Sequence, residues 1–167
     1  MKKLLALMLV ALMALAAVSA YAEAPESPAV TVIITPDGVD VVTDDPAIDA
    51  VAAAIADMGV MGVMDDGTNE QLLAKFGESE MVVNEIFMIV GWRLEAPVTL
   101  NITFATPFDP AKAVALVLQT AEEQLVVDAV VNEDGSLTVE VSEELAAKIV
   151  ASLEAEVPVL VVVVNEA

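Results

Sequence analysis

Residues 97–142 confine the chain to an antiparallel β fold, because most of the stretch alternates. Val98, Leu100, Ile102 and Phe104 fall in one phase, with Thr99, Asn101 and Thr103 in the other. A period of two sends successive side chains to opposite faces of a sheet, so this segment is a strand with one buried face. Leu137, Val139 and Val141 repeat the pattern against Thr138 and Glu140. Residues 125–131 are more fully apolar, and Asn132-Glu133-Asp134-Gly135 joins them to the next strand. Asp-Gly supplies the positive φ that a tight hairpin turn needs. The corner TPFDP, punctuated by Pro107 and Pro110, separates the first strand from another at 113–119. The expectation is an antiparallel meander.

The flanks add strands and helices. Residues 30–35 (VTVIIT) are β-branched and read as a strand, turned by Pro36-Asp37-Gly38 into a short return strand at 39–43. Asp45 is placed to cap a helix with Pro46 in its first turn. Ile48, Val51, Ile55 and Met58 follow at spacings of three and four, one buried stripe closed by Gly59. Residues 60–64 fit a buried connection, with a short strand as the alternative, and Asp65-Asp66-Gly67 reads as a turn. Thr68 and Gln71 then fit a capping box for a short helix through Leu72, Leu73 and Phe76, closed by Gly77. Residues 81–92 are apolar in both phases, which predicts a central strand. Ser142 caps a last helix, with Glu143 and Glu144 in its first turn and Leu145, Ile149, Val150 and Leu153 as its stripe. Residues 157–164 (VPVLVVVV) close the chain as a strand that is no edge, since a long apolar edge invites aggregation.

The N-terminus predicts export. Lys2 and Lys3 precede an apolar run that ends in Ala20-Tyr21-Ala22, the small residues a signal peptidase reads. Polar, Pro-containing EAPESP follows. The expected division is a signal peptide at 1–22, a linker at 23–28 and one globular domain at 29–167. The competing possibility is retention of 1–22 as an anchor. Removing 22 of 167 residues leaves 145, enough for a core. No cysteine is present, so the fold holds without disulfides.

Charge narrows the partners. The mature chain keeps 27 acidic side chains against Lys75, Arg93, Lys112 and Lys148, a formal −23. Binding to nucleic acid or anionic lipid rests on neutralising phosphates with Lys and Arg, so neither is an expected partner.

Catalytic machinery is sparse. Without His or Cys, thiolate and imidazole nucleophile–base pairs and metal sites drop out. Lys75 and Ser79 are considered as a Ser–Lys pair, but Gly77 between them ends the helix, so their role is structural. Carboxylate pairs are too numerous to single out a glycosidase. Trp92, the one tryptophan, packs at the end of its strand rather than on a sugar. Calcium needs oxygen ligands, and Asp44, Asp45 and Asp49, then Asp65, Asp66 and Glu70, then Glu133 and Asp134 cluster in sequence. None has EF-hand spacing, and Asp45 and Asp134 already serve a cap and a turn. No catalytic, cofactor-binding or metal residue is assigned, and no cofactor.

Strands dominate, so the expected architecture is an antiparallel β-sandwich with two to three added helices. The alternative is an α+β fold with helices on one face of a single sheet. TPFDP, an apolar strand, VDAVVNEDGSLTV, a polar helix start and a closing apolar strand together resemble the immunoglobulin-like β-sandwich modules of secreted and surface proteins from Gram-positive bacteria. The likeness covers residues 82–164 and brings no functional residues with it. A helix between the last two strands and the lack of a cell-wall sorting motif depart from that pattern. The resemblance implies a non-catalytic structural or binding module at or outside the bacterial cell envelope. The alternative is a secreted hydrolase working with carboxylates alone.

Overall fold

The computed structural model describes residues 33–167. The expected signal peptide, the linker and the start of the strand expected at 30–35 lie outside the described residues. The strands are β1 Ile33–Ile34, β2 Val39–Val42, β3 Met81–Trp92, β4 Val98–Phe104, β5 Val114–Gln119, β6 Gln124–Val131, β7 Leu137–Val141 and β8 Val159–Glu166. The helices are α1 Pro46–Met58, α2 Val60–Val63, α3 Asp66–Phe76 and α4 Glu143–Glu154. The fold is thus mainly β, with four helices where two to three were expected. The additional one is α2, a single buried turn where the sequence suggested a connection.

All eight strands belong to one antiparallel sheet in the order β1-β4-β7-β6-β5-β8-β3-β2. The edges β1 and β2 are separated in sequence by residues 35–38 only. Seven strand spacings would hold the edges of a flat sheet ~34 Å apart. Five residue steps from Ile34 to Val39 reach at most ~18 Å. The sheet therefore curls until its edges approach, giving a nearly closed barrel. Two bulges on β3 assist the curl. Asn84 is extra opposite the Val163–Val164 step of β8, and Val90 is extra opposite the Asp40–Val41 step of β2. Each bulge bends its strand and increases the local twist.

Three lateral placements differ from the sequence expectation. The Pro36-Asp37-Gly38 turn forms, with Val39 N–H donating to Pro36 O at 3.2 Å and Gly38 at φ +102°. Its two strands nevertheless do not pair with each other. β1 pairs with Thr103 and Phe104, and β2 with Met88–Trp92, so the intended hairpin becomes the link between opposite edges. The meander holds for β5, β6 and β7, but β4 lies beside β7 rather than β5, a Greek-key arrangement. The corner after β4 makes this possible. Phe108 packs edge-on against Phe104, with ring centroids 5.2 Å apart, and its N–H donates to Gly135 O at 3.0 Å. Finally, β3 is not central. β8 lines it from Met81 to Ile89, whereas β2 lines only its end, from Met88 to Trp92. Its doubly apolar pattern arises because both faces are covered, which says nothing of lateral position.

Two cores explain the runs of valine. Inside the curl, Phe87, Ile89, Leu100, Ile102, Leu116, Leu118, Val139, Val161 and Val163 meet Ala146 and Ile149 of α4. Outside it, Met88, Ala115, Val117, Leu160, Val162 and Val164 meet Ile48 and Val51 of α1, Val60 and Val63 of α2, and Leu72 and Phe76 of α3. β5 and β8 lie between the two cores and are buried on both faces. As expected, the last strand is no edge. Helices cover both faces of the sheet, α4 one and α1–α3 the other.

Helix starts follow local chemistry. Asp45 caps α1, accepting from Ala47 N–H at 2.8 Å, and Ser142 caps α4, accepting from Leu145 N–H at 3.2 Å. α3 begins earlier than the capping box predicts. Asp65 is its cap, accepting from Thr68 N–H at 2.7 Å, and Thr68 itself is buried. A carboxylate at the cap also suits the helix dipole, so it displaces the threonine. Met58 and Leu73 are exposed, 55% and 49%, where the stripes predicted burial. On α4 the buried residues are Ala146, Ile149 and Ser152, with Leu145, Val150 and Leu153 half-buried. Among the described residues no helix is long and apolar enough to cross a membrane.

Candidate functional site

The curled sheet has little room inside. Its enclosed space is about 30 Å³, with no polar surface, bounded by Val39, Phe87, Trp92, Leu100, Val141 and Ile149. Trp92 packs at the end of its strand, as its position predicts, and its Nε1–H donates to Leu94 O at 3.0 Å. Arg93 pairs with Asp40 across β2 and β3, one arm of the fork at 3.1 Å. That hydrogen bond lowers the Asp40 pKa and raises that of Arg93.

The residues weighed in the sequence for chemistry are separated by the fold. Lys75 Nζ reaches Asp128 of β6 at 2.6 Å, while Ser79 Oγ–H donates to Glu166 at 2.5 Å. The two therefore serve different partners. Glu166 also accepts from Ala113 N–H, and the Ser79 hydroxyl first and that N–H second hold its carboxyl below the usual range. Asp134 accepts from the Ser136 hydroxyl at 2.6 Å and its N–H at 3.0 Å, which lowers its pKa likewise. Asp45 and Asp65 are helix caps, and Asp44, Asp49, Asp66, Glu70 and Glu133 are exposed. Among the described residues no three carboxylates converge on a metal position.

One pair escaped the sequence reading. Lys148 and Ser152 lie one turn apart on α4, beside a cleft of about 290 Å³ under residues 120–123. The spacing of four was visible in the sequence and matches that of Lys75 and Ser79. The geometry does not activate the hydroxyl. Lys148 sits between Glu123 at 3.0 Å and Glu144 at 3.3 Å, and those bonds raise its pKa. Ser152 is 2% exposed, donates to Val157 O at 2.9 Å and accepts from Ala121 N–H at 3.0 Å. A general base needs a neutral amine at working pH. This pair instead pins α4 to the β5–β6 loop.

A wider concavity lies at a sheet edge. β2 stops at Val42, where Asp44, Asp45 and Pro46 turn the chain into α1. Beyond Met88, residues 81–87 of β3 have β8 on one side, and among the described strands none on the other. Between that edge and α1 runs a groove of about 390 Å³. Its α1 wall is Ile48, Asp49, Ala52, Ile55 and Ala56, and its β3 wall Val83, Asn84, Glu85 and Ile86. No Lys or Arg lines it. The signal for this site was the Asp-Asp-Pro stop after a four-residue strand, set against the length of β3. It could not be read without knowing that the two pair.

No family model matches the chain, and neither a curated protein nor a solved structure matches it.

Proposed function

We propose that this chain is an exported, non-catalytic binding module acting at or outside the bacterial cell envelope. The observation that carries the reading is where its concavity lies. The interior of the curl is filled to about 30 Å³, whereas the groove on its flank measures about 390 Å³. A packed interior offers no ligand chamber, so the work of the molecule falls to its surface. The charged state of Lys148 and the engaged hydroxyl of Ser152 support a structural role for this serine–lysine pair. The basic start, apolar run and Ala20-Tyr21-Ala22 support export. The mainly β fold and its Greek-key order support the likeness to surface-protein modules, with the sandwich arrangement as its finer form.

The test is twofold. Protein recovered from the medium should begin at Glu23 by intact mass and hydrolyse neither glycans nor peptides. Full-length chain held in the membrane overturns export. Turnover that survives purification and disappears in a single carboxylate variant overturns the non-catalytic assignment.

A further inference from the structure

We propose that the groove between α1 and β3 takes an extended, cationic peptide segment, which adds to residues 81–87 as a further strand. The inference rests on the binding-module reading and names the class of partner. Alternate residues of an edge strand turn their N–H and C=O groups outward, a ready template for another backbone. Seven residues at ~3.3 Å each give a docking length of ~23 Å.

The side-chain lining fits a strand laid beside a helix. Ala52 and Ala56 are exposed and small, so α1 leaves space over the edge instead of closing on it. Half-buried Ile55, Val83 and Ile86 provide an apolar floor for one phase of an alternating peptide. Charge chooses the other phase. Asp49 stands exposed on the wall, no Lys or Arg lines the groove, and Lys75, Arg93 and Lys148 are all engaged in ion pairs elsewhere. A segment alternating Lys or Arg with aliphatic residues matches both.

A second copy of the chain is the wrong occupant. It would bring Asp49 towards like charge on a molecule with formal −21, which opposes association. The bulge at Asn84 also twists the edge away from another flat sheet, whereas a single flexible peptide can follow it.

The probe is a seven-residue peptide alternating lysine and valine, titrated onto the mature chain. Saturable binding is expected, with slowed amide exchange confined to residues 81–87. N-methylation of alternate backbone nitrogens, which keeps every charge but blocks strand pairing, should weaken binding about tenfold or more. Ala52→Leu, on an exposed helix face, should do the same by filling the groove. Asp49→Asn should weaken it several-fold, and Ala147→Leu on α4 should leave it unchanged. Equal binding of the methylated peptide, or full binding to Ala52→Leu, reduces the effect to diffuse attraction and overturns the proposal. So does a glutamate-for-lysine peptide that binds as well, or a dimer of the chain that the peptide dissolves. Peptide mass is followed throughout. Cleavage would overturn the non-catalytic reading alone, and absence of binding without cleavage the docking proposal alone.

Discussion

The Thr35 hydroxyl donates to the Val39 carbonyl at 2.9 Å, bracing the turn that joins the two edges of the sheet. Because that turn is the covalent closure of the curl, its stiffness sets how near the edges lie. Thr35→Val removes the bond while keeping the branched shape, and should cost ~1 kcal/mol by equilibrium unfolding. Inserting three glycines after Asp37 should cost more, because it relaxes the constraint that holds β1 against β4. An insertion tolerated without any shift in melting would mean that the curl is set by side-chain packing alone.

Gly135 carries the second closure. Its φ is +79°, and a Cβ there would overlap Pro107 and the backbone of Phe108. Gly135→Ala should therefore destabilise by at least ~2 kcal/mol, more than the left-handed conformation alone costs. Gly77, also at positive φ but with open space around it, is the control, and its alanine variant should cost only the conformational part. Equal melting shifts for the two would remove the steric contribution of the TPFDP corner.

α4 offers a test of which side of a helix the core holds. Ile149 is 1% exposed and lies in the inner core, so Ile149→Asp buries an unpaired charge and should cost several kcal/mol. Glu144→Lys acts on an exposed residue in the first turn, with Glu123 left to hold Lys148. It should cost ~0.5–1 kcal/mol through the dipole. Comparable shifts in thermal melts would mean that α4 is not docked through Ile149.

What could be read before the fold was known follows the range of each force. Strand phase at Val98–Phe104, the caps at Asp45 and Ser142, and the non-edge place of β8 depend on local pattern, and each was legible. Lateral order was not. The contacts that send β4 to β7 are between Phe104 and Phe108 and between Phe108 and Gly135, the latter 27 residues apart in sequence. Nor does residue type reveal that Met58 sits past the end of the apolar surface while Ala146 lies within it. The groove belongs to the same class of fact, since its walls meet only when β2 pairs with the end of β3. By contrast, the Lys148–Ser152 spacing was open to inspection. Its structural role needed the partners Glu123 and Val157, which come from other elements.

The acidity should give a stability curve with two arms of opposite sign. The folded state holds the carboxyls of Asp40, Asp134 and Glu166 below their ordinary pKa through Arg93, Ser136 and Ser79 respectively. A depressed carboxyl contributes stability that is present above its unfolded pKa and lost as pH falls through the folded value, so this arm declines below about pH 4. Self-repulsion works the other way. Lowering the pH from 7 towards 5 begins to neutralise a chain of formal −21, and melting temperature should rise there before the first arm takes over. Lys148, raised by Glu123 and Glu144, adds stability at neutral pH that disappears only as pH climbs past its folded value, above the usual lysine range. Salt should reproduce the gain near neutrality, with a Debye length of ~8 Å at physiological ionic strength, and should not reproduce the acid decline. Sodium and calcium chloride of matched ionic strength should act alike, apart from a modest valence effect. A calcium site would instead add a saturable increase at low calcium, by mass action on the folded state. Melts in calcium, magnesium and chelator separate the two, and a saturable step abolished by replacing Asp65 and Asp66 would defeat the expectation of a diffuse field.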